Sequence, residues 1–203
     1  MMIGTLELAE KSLNSQSLIT DTTDAVLLPP AVPATAMWLP ASALNCYVAD
    51  ARLLSWLQTP GLLTERIRAA AGDAFNMQVL HEGLLQGEYV REITMSCAHE
   101  PWLFAHTRIP ARTAEAHPWL IAIGRTTLGE ALAARSDLQR AAPRYTRLEQ
   151  SWVMQRALHT CGLITGNLWI RHSAFNLGLY SFDLYEVFMP AIATAESSGV
   201  VAI

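Results

Sequence analysis

Three consecutive stretches whose side chains alternate with a period of two, Phe75 to His81, Glu88 to Ala98 and Trp102 to Ile109, constrain this chain more than any other feature. Such alternation sends residues i and i+2 to one face of a pleated strand. His99-Glu100-Pro101 separates the last two stretches and reads as a turn, so the three predict an antiparallel meander. Two more strand patterns, Asn167 to Phe175 and Leu179 to Met189, flank Asn176-Leu177-Gly178. Leucine spacing predicts helices over Ala51 to Gln58 and Leu63 to Ala71, a hairpin broken by Thr59-Pro60-Gly61. Further helices are predicted over Thr127 to Leu138 and over Tyr145 to His159, the latter from Leu148, Trp152, Met154 and Leu158. The class is therefore α+β: a single antiparallel β-sheet with inserted helical segments.

The 203 residues and formal charge of -4 fit one domain of ordinary size, read as residues 46–203. Residues 1–45, rich in Ser, Thr, Ala and Pro, read as a wrapped or flexible arm with a short helix around Leu6 to Leu13. Pro29, Pro30, Pro33 and Pro40 interrupt the most apolar early stretch, so no membrane span is expected there. Lys11 is followed by Ser, Asn, Gln and Thr rather than an apolar run, which argues against a secretory signal and for a cytoplasmic location. One cation against Glu7, Glu10, Asp21, Asp24 and Asp50 in the first fifty residues is a poor match to a nucleic-acid backbone. Cys46, Cys97 and Cys161 are odd in number and lack CxxC spacing; they read as buried small apolar residues. No HxxxH, HExxH, GxSxG, GxGxxG or GxxxxGK[ST] occurs, so neither a metal centre, a serine hydrolase nor a common nucleotide site is expected.

Two charges stand on the wrong faces. Arg91 shares a strand face with Tyr89, Ile93, Met95 and Cys97, and Glu186 shares one with Tyr180, Phe182, Leu184 and Phe188. An ionised group taken from water without a partner costs several kcal/mol. Either the two pair with each other or with neighbours such as Glu92 and Arg171 as a structural salt bridge, or they line a closed pocket and contact opposite ends of a small polar ligand. His106 and Arg171 are secondary cations, placed on inward faces with Trp102, Phe104, Trp169 and Phe175. Thr127 followed by Glu130 is a capping-box pattern that makes Leu128 the first helical residue, next to amides free to hold an anion.

Taken in order, Leu63-Thr64-Glu65-Arg66, Val90-Arg91-Glu92-Ile93, Glu100-Pro101-Trp102-Leu103, Leu128-Gly129-Glu130, Trp169-Ile170-Arg171-His172-Ser173 and Tyr185-Glu186-Val187-Phe188-Met189-Pro190 resemble the chorismate pyruvate-lyase family, over about residues 50 to 190. The resemblance implies a single antiparallel sheet with helical flaps that bury the ligand, chorismate as substrate and 4-hydroxybenzoate as product at the entry to ubiquinone synthesis. It implies no cofactor, and a monomer is expected. It places the ring carboxylate on Arg91, the 4-hydroxyl on Glu186, and main-chain contacts at Leu128 and near Leu63. Two departures bear on flap closure and on the second carboxylate: Gly124-Arg125-Thr126-Thr127-Leu128-Gly129 carries Arg for Lys and Thr for Pro, and His106 stands where an arginine is usual. A non-catalytic module of the same fold that binds aromatic carboxylates, and a lyase giving 3-hydroxybenzoate, remain as alternatives.

Overall fold

The computed structural model describes residues 30–195 apart from 62, 134, 148 and 164–166. Its centre is an antiparallel sheet of eight strands: β1 (Leu39–Pro40), β2 (Phe75–Leu85), β3 (Glu88–Cys97), β4 (Glu100–Pro110), β5 (Gln139–Arg140), β6 (Arg144–Thr146), β7 (Ile170–Leu177) and β8 (Tyr180–Phe188). The spatial order is β1-β6-β7-β8-β4-β3-β2, with β5 also on β7. The meander and the C-terminal hairpin are thus joined where β4 meets β8. Tight turns make the hairpins: Gln86 and Gly87 both have positive φ, and Gly178 at +63° turns β7 into β8, a backbone state that costs glycine little.

Helices α1 (Ala51–Leu57) and α2 (Leu63–Ala71) form the predicted hairpin. Asp50 caps α1 by accepting from the amides of Arg52 and Leu53 at 2.8 and 3.1 Å. Helix α3 (Ala111–Ala116) was not foreseen. Helix α4 (Leu128–Ala133) is shorter than predicted, because Ser136 and Asp137 turn the chain into β5. The helix expected over Tyr145 to His159 is two elements. Tyr145 and Thr146, residue types that suit strands, pair with Arg171 and Ile170, and α5 (Trp152–Thr160) starts only after Ser151, whose side chain accepts from the Met154 amide. Leu148 and the helix read around Leu6 to Leu13 lie outside the described residues. Of the stretch read as an arm, residues 30–45 pack into the domain: Ala31, Leu39 and Leu44 are buried, and β1 pairs with β6. Cys46 is exposed and Cys97 and Cys161 are half-buried, which corrects the reading of all three as buried. Among the described residues no helix is long and apolar enough to cross a membrane.

The sheet separates two layers. One face carries Ile93, Met95, Leu103, Ala105 and Phe188 and is covered by α1, α2 and the 3₁₀ turns, with α4 over Phe175 and Phe182. Helix α5 covers the other face, laying Val153, Met154, Ala157 and Leu158 on Phe104, Ile170 and Val187. His106 belongs to this second face, away from the first, and there meets Glu92: its Nδ1 lies 3.2 Å from the Glu92 carboxylate, which also accepts from Arg156 of α5 at 2.8 Å. Because that carboxylate only accepts, Nδ1 carries the proton of the neutral ring. Burial alone would raise the Glu92 carboxyl, but hydrogen bonds from His106 and Arg156 outweigh it and hold it down to about 2. Burial also lowers the His106 imidazole below its ordinary 6.5, with Arg108 and Arg156 adding repulsion and Glu92 opposing.

This cluster sets a direction for acid unfolding. With its folded value lowered, His106 takes up a proton less readily in the folded chain than in the unfolded one, where it protonates below its ordinary 6.5. The unfolded chain then binds the extra proton, and stability falls with falling pH by up to about 1.4 kcal/mol per unit. Glu92 adds the same sign lower down: its contribution is complete above 4.5 and is lost as pH falls from there through about 2. His106→Gln keeps a donor for Glu92 and removes the titration. Urea midpoints of this variant between pH 7 and 5 are expected to decline less steeply than those of the native chain; equal slopes would contradict the assignment.

Candidate active site

A cavity of about 220 Å³ lies between the first sheet face and α2 and α4. Its floor is two adjacent cross-strand rows. Arg91, Thr107, Leu184 and Ser173 form one row across β3, β4, β8 and β7, and Ile93, Ala105, Glu186 and Arg171 form the next. Leu63 and Thr64 of α2 and Thr127, Leu128, Gly129 and Leu132 of the α4 region form the roof. Most of this lining is apolar, so the few charges in it stand out.

Arg91 and Glu186 both face the cavity and are only 3% and 5% exposed, but they are not each other's partner. Glu186 accepts a bidentate fork from Arg171, with Nε at 2.6 Å and Nη2 at 2.8 Å. Burial works to lower the Arg171 guanidinium, yet the Glu186 carboxylate outweighs it and raises the group above its usual value. The neighbour pairing considered from sequence therefore holds for Glu186. Arg91 differs: its Nη2 donates to the carbonyls of Gly124 and Thr126 at 2.6 and 3.0 Å, pinning the loop that leads into α4. Its Nε is buried and makes no hydrogen bond among the described residues; the nearest acid, Glu82, stands 3.6 Å away. Burial lowers the Arg91 guanidinium from its ordinary value, with Glu82 and Tyr89 opposing. Arg91 thus brings a buried guanidinium to a mostly apolar cavity, with Glu82 as its nearest acid and one nitrogen outside any hydrogen bond among the described residues.

The α4 cap is built as its sequence indicates. The Glu130 amide donates to the Thr127 hydroxyl at 3.3 Å, while the Thr127 amide donates to the Glu130 carboxylate at 2.9 Å. Leu128 lines the cavity at the start of this helix, where position alone leaves its amide without an intrahelical acceptor. Leu63 lines it from α2. Of the two secondary cations, Arg171 lines the cavity and His106 does not, since it faces α5. Sequence reasoning missed Glu82 and Arg140. Arg140 lines the cavity from β5 and donates to the Ser173 hydroxyl at 2.8 Å.

Similarity to known proteins bears directly on this arrangement. The sequence model of the chorismate lyase family matches residues 32–197. The chain belongs to that family. A "Probable chorismate pyruvate-lyase" of Dechloromonas aromatica (strain RCB) is 31% identical over 70% of this chain and 89% of its own length. Proteins of the same name from Nitrosospira multiformis and Pseudomonas aeruginosa are each 29% identical, over 70% and 79% of this chain and 88% and 95% of their own lengths. In this member of the family the two roof helices are tied to each other by Arg68 of α2, whose Nη1 donates to Glu130 of α4 at 2.6 Å. That bond, followed by the Thr127 amide, holds the Glu130 carboxyl down to about 2.

The Arg68–Glu130 tie is partly exposed, its side chains 48% and 30% accessible, so its worth is that of a surface pair, about 0.2–1 kcal/mol. Arg68→Ala is expected to speed release of a bound aromatic carboxylate up to about fivefold in stopped-flow displacement while leaving the unfolding midpoint nearly unchanged. An unchanged release rate would mean that the tie does not hold the roof shut.

Proposed function

We propose that this protein eliminates pyruvate from chorismate to give 4-hydroxybenzoate, the entry to ubiquinone synthesis. The observation that carries the reading is the buried, unsatisfied Nε of Arg91 across an apolar cavity from Glu186, in a chain of the chorismate lyase family. Arg91 takes the ring carboxylate, joined by the Leu128 amide, and its planar fork suits a carboxylate better than a point charge would. Leu63 closes over the ring from the first roof helix. Glu186 meets the 4-hydroxyl.

The reaction breaks the C3–O bond of the enolpyruvyl ether and removes the C4 proton. The ring gains a C3–C4 double bond and becomes aromatic, and enolpyruvate takes a proton on its methylene carbon to become pyruvate. Aromatisation drives the chemistry, so the protein's task is mainly to hold the reactive conformer in a dry site and to stabilise departing charge. Glu186 could receive the C4 proton, or orient the substrate while that proton passes within it to the methylene. The Arg171 fork favours the second role. It occupies one lone pair on each Glu186 oxygen and leaves others to accept a hydrogen bond from the 4-hydroxyl.

Incubation of purified protein with chorismate should release equimolar pyruvate and 4-hydroxybenzoate. 3-Hydroxybenzoate would indicate a different regiochemistry, and no turnover of a protein that still binds the product would favour a binding module. Arg91→Ala and Glu186→Ala should each lower turnover at least about a hundredfold, the scale of losing a positioned charge or acid–base group. Folded variants with near-native pyruvate release would remove these assignments.

A further inference from the structure

A dianionic substrate brings two carboxylates into the cavity, and each needs a cation once water is excluded. Three arginines line the cavity, Arg91, Arg140 and Arg171, against one lining carboxylate, Glu186. Arg171 is paired with Glu186 and Arg91 has Glu82 3.6 Å from its Nε, which leaves Arg140 as the lining arginine without an acid partner among the described residues. Glu82 faces Arg91 from the neighbouring groove rather than from within the cavity.

The three arginines are not equally available. Arg171 spends Nε and Nη2 on Glu186. Arg140 points the same two nitrogens at a single neutral oxygen, the Ser173 hydroxyl, at 3.2 and 2.8 Å. Among the described residues no ion pair joins it to an acid. A fork shaped for two carboxylate oxygens is parked on one hydroxyl of a residue with no exposed surface. Its guanidinium lies 5.6 Å from the Phe175 ring centroid, and Phe175 is stacked on Phe182 at 4.9 Å, so the head group rests on a firm surface. Arg140 keeps much of its surface exposed, yet partial burial of its head group and then the neighbouring Arg171 lower the guanidinium from its usual value, with Glu186 and Tyr145 opposing.

Position agrees. From β3, which carries Arg91, the sheet runs through β4, β8 and β7 to β5. Four strand spacings of about 4.8 Å put the two backbones about 19 Å apart, and the two side chains border the cavity from opposite ends, Arg91 buried and Arg140 exposed. Glu186 lies between them.

We propose that Arg140 binds the enolpyruvyl carboxylate of the substrate, and so distinguishes the dianionic substrate from the monoanionic aromatic product. This rests on the lyase reading above. On binding, the fork leaves Ser173 for the carboxylate; when the C3–O bond breaks, that carboxylate departs with pyruvate and Arg140 returns to the hydroxyl. The aromatic product never engages it.

Arg140→Met separates the two ligands. Its KM for chorismate should rise about ten- to hundredfold, the worth of a charged hydrogen-bond pair, while the Kd for 4-hydroxybenzoate stays within about threefold of native. Arg140→Lys should recover part of the loss, and Arg91→Met should weaken both ligands. Arg140→Gln serves the same comparison if the methionine variant does not fold, as judged by the unfolding midpoint. Chorismate affinity is read as well by calorimetric competition against 4-hydroxybenzoate. Unchanged chorismate affinity in a folded Arg140 variant, or equal weakening of both ligands, overturns the role of Arg140 alone. A native protein that binds both ligands but releases no pyruvate overturns the lyase reading alone, and one that binds neither overturns both.

Discussion

The ion pair between Arg171 and Glu186, at the middle of the sheet and beneath the cavity, is the interaction on which the site depends. A lone carboxylate in such apolar surroundings would be driven to protonate or to reach for water. Two hydrogen bonds from a guanidinium on the adjacent strand meet both its oxygens and fix its plane. The geometry requires β7 and β8 to pair in one register, with Arg171 opposite Glu186, and the tight Gly178 turn sets it. Removing either partner would leave the other buried and unpaired, a loss of about 3–5 kcal/mol, whereas the pair itself adds little net stability.

The division of labour between sheet and helices follows from the same constraint. Long, doubly covered strands hold Arg91, Glu186 and Arg171 on a floor that cannot easily shift. The roof consists of short helices, α2 and α4, which are joined to the sheet through the Arg91 bonds to Gly124 and Thr126 and to each other through Arg68 and Glu130. Such elements are cheap to move, which suits a site that must open to admit a ligand and close to exclude water. Arg91 therefore anchors the roof loop through one nitrogen while lining the cavity beneath it.

How much of this the sequence disclosed depends on the regularity of each strand. β3 and β8 alternate without interruption around Arg91 and Glu186, so period two alone placed both among apolar neighbours and flagged them. β2 does not alternate evenly. A bulge between Val79 and His81 shifts its parity, and Glu82 comes to lie opposite Arg91, which no count of twos would predict. Arg140 sits in a strand of two residues, too short to leave a pattern. Tyr145 opens the helix that Leu148, Trp152, Met154 and Leu158 predict, yet it lies in a strand and its hydroxyl donates across the core to the Leu57 carbonyl at 3.0 Å. His106 shows a different limit: β4 is buried on both faces, so hydrophobicity alone could not tell the cavity side from the α5 side.

In the proposed binding mode Arg91 receives a carboxylate at one end of the cavity while Glu186 receives a hydroxyl. A crystal structure of the protein with 4-hydroxybenzoate tests it most directly. The expected result is one molecule in the cavity, its carboxylate on Arg91 Nε and the Leu128 amide and its hydroxyl on Glu186, with the Arg171 fork intact. A product molecule bound the other way round, or held outside the cavity while Arg91 remains without a ligand, would contradict the claim.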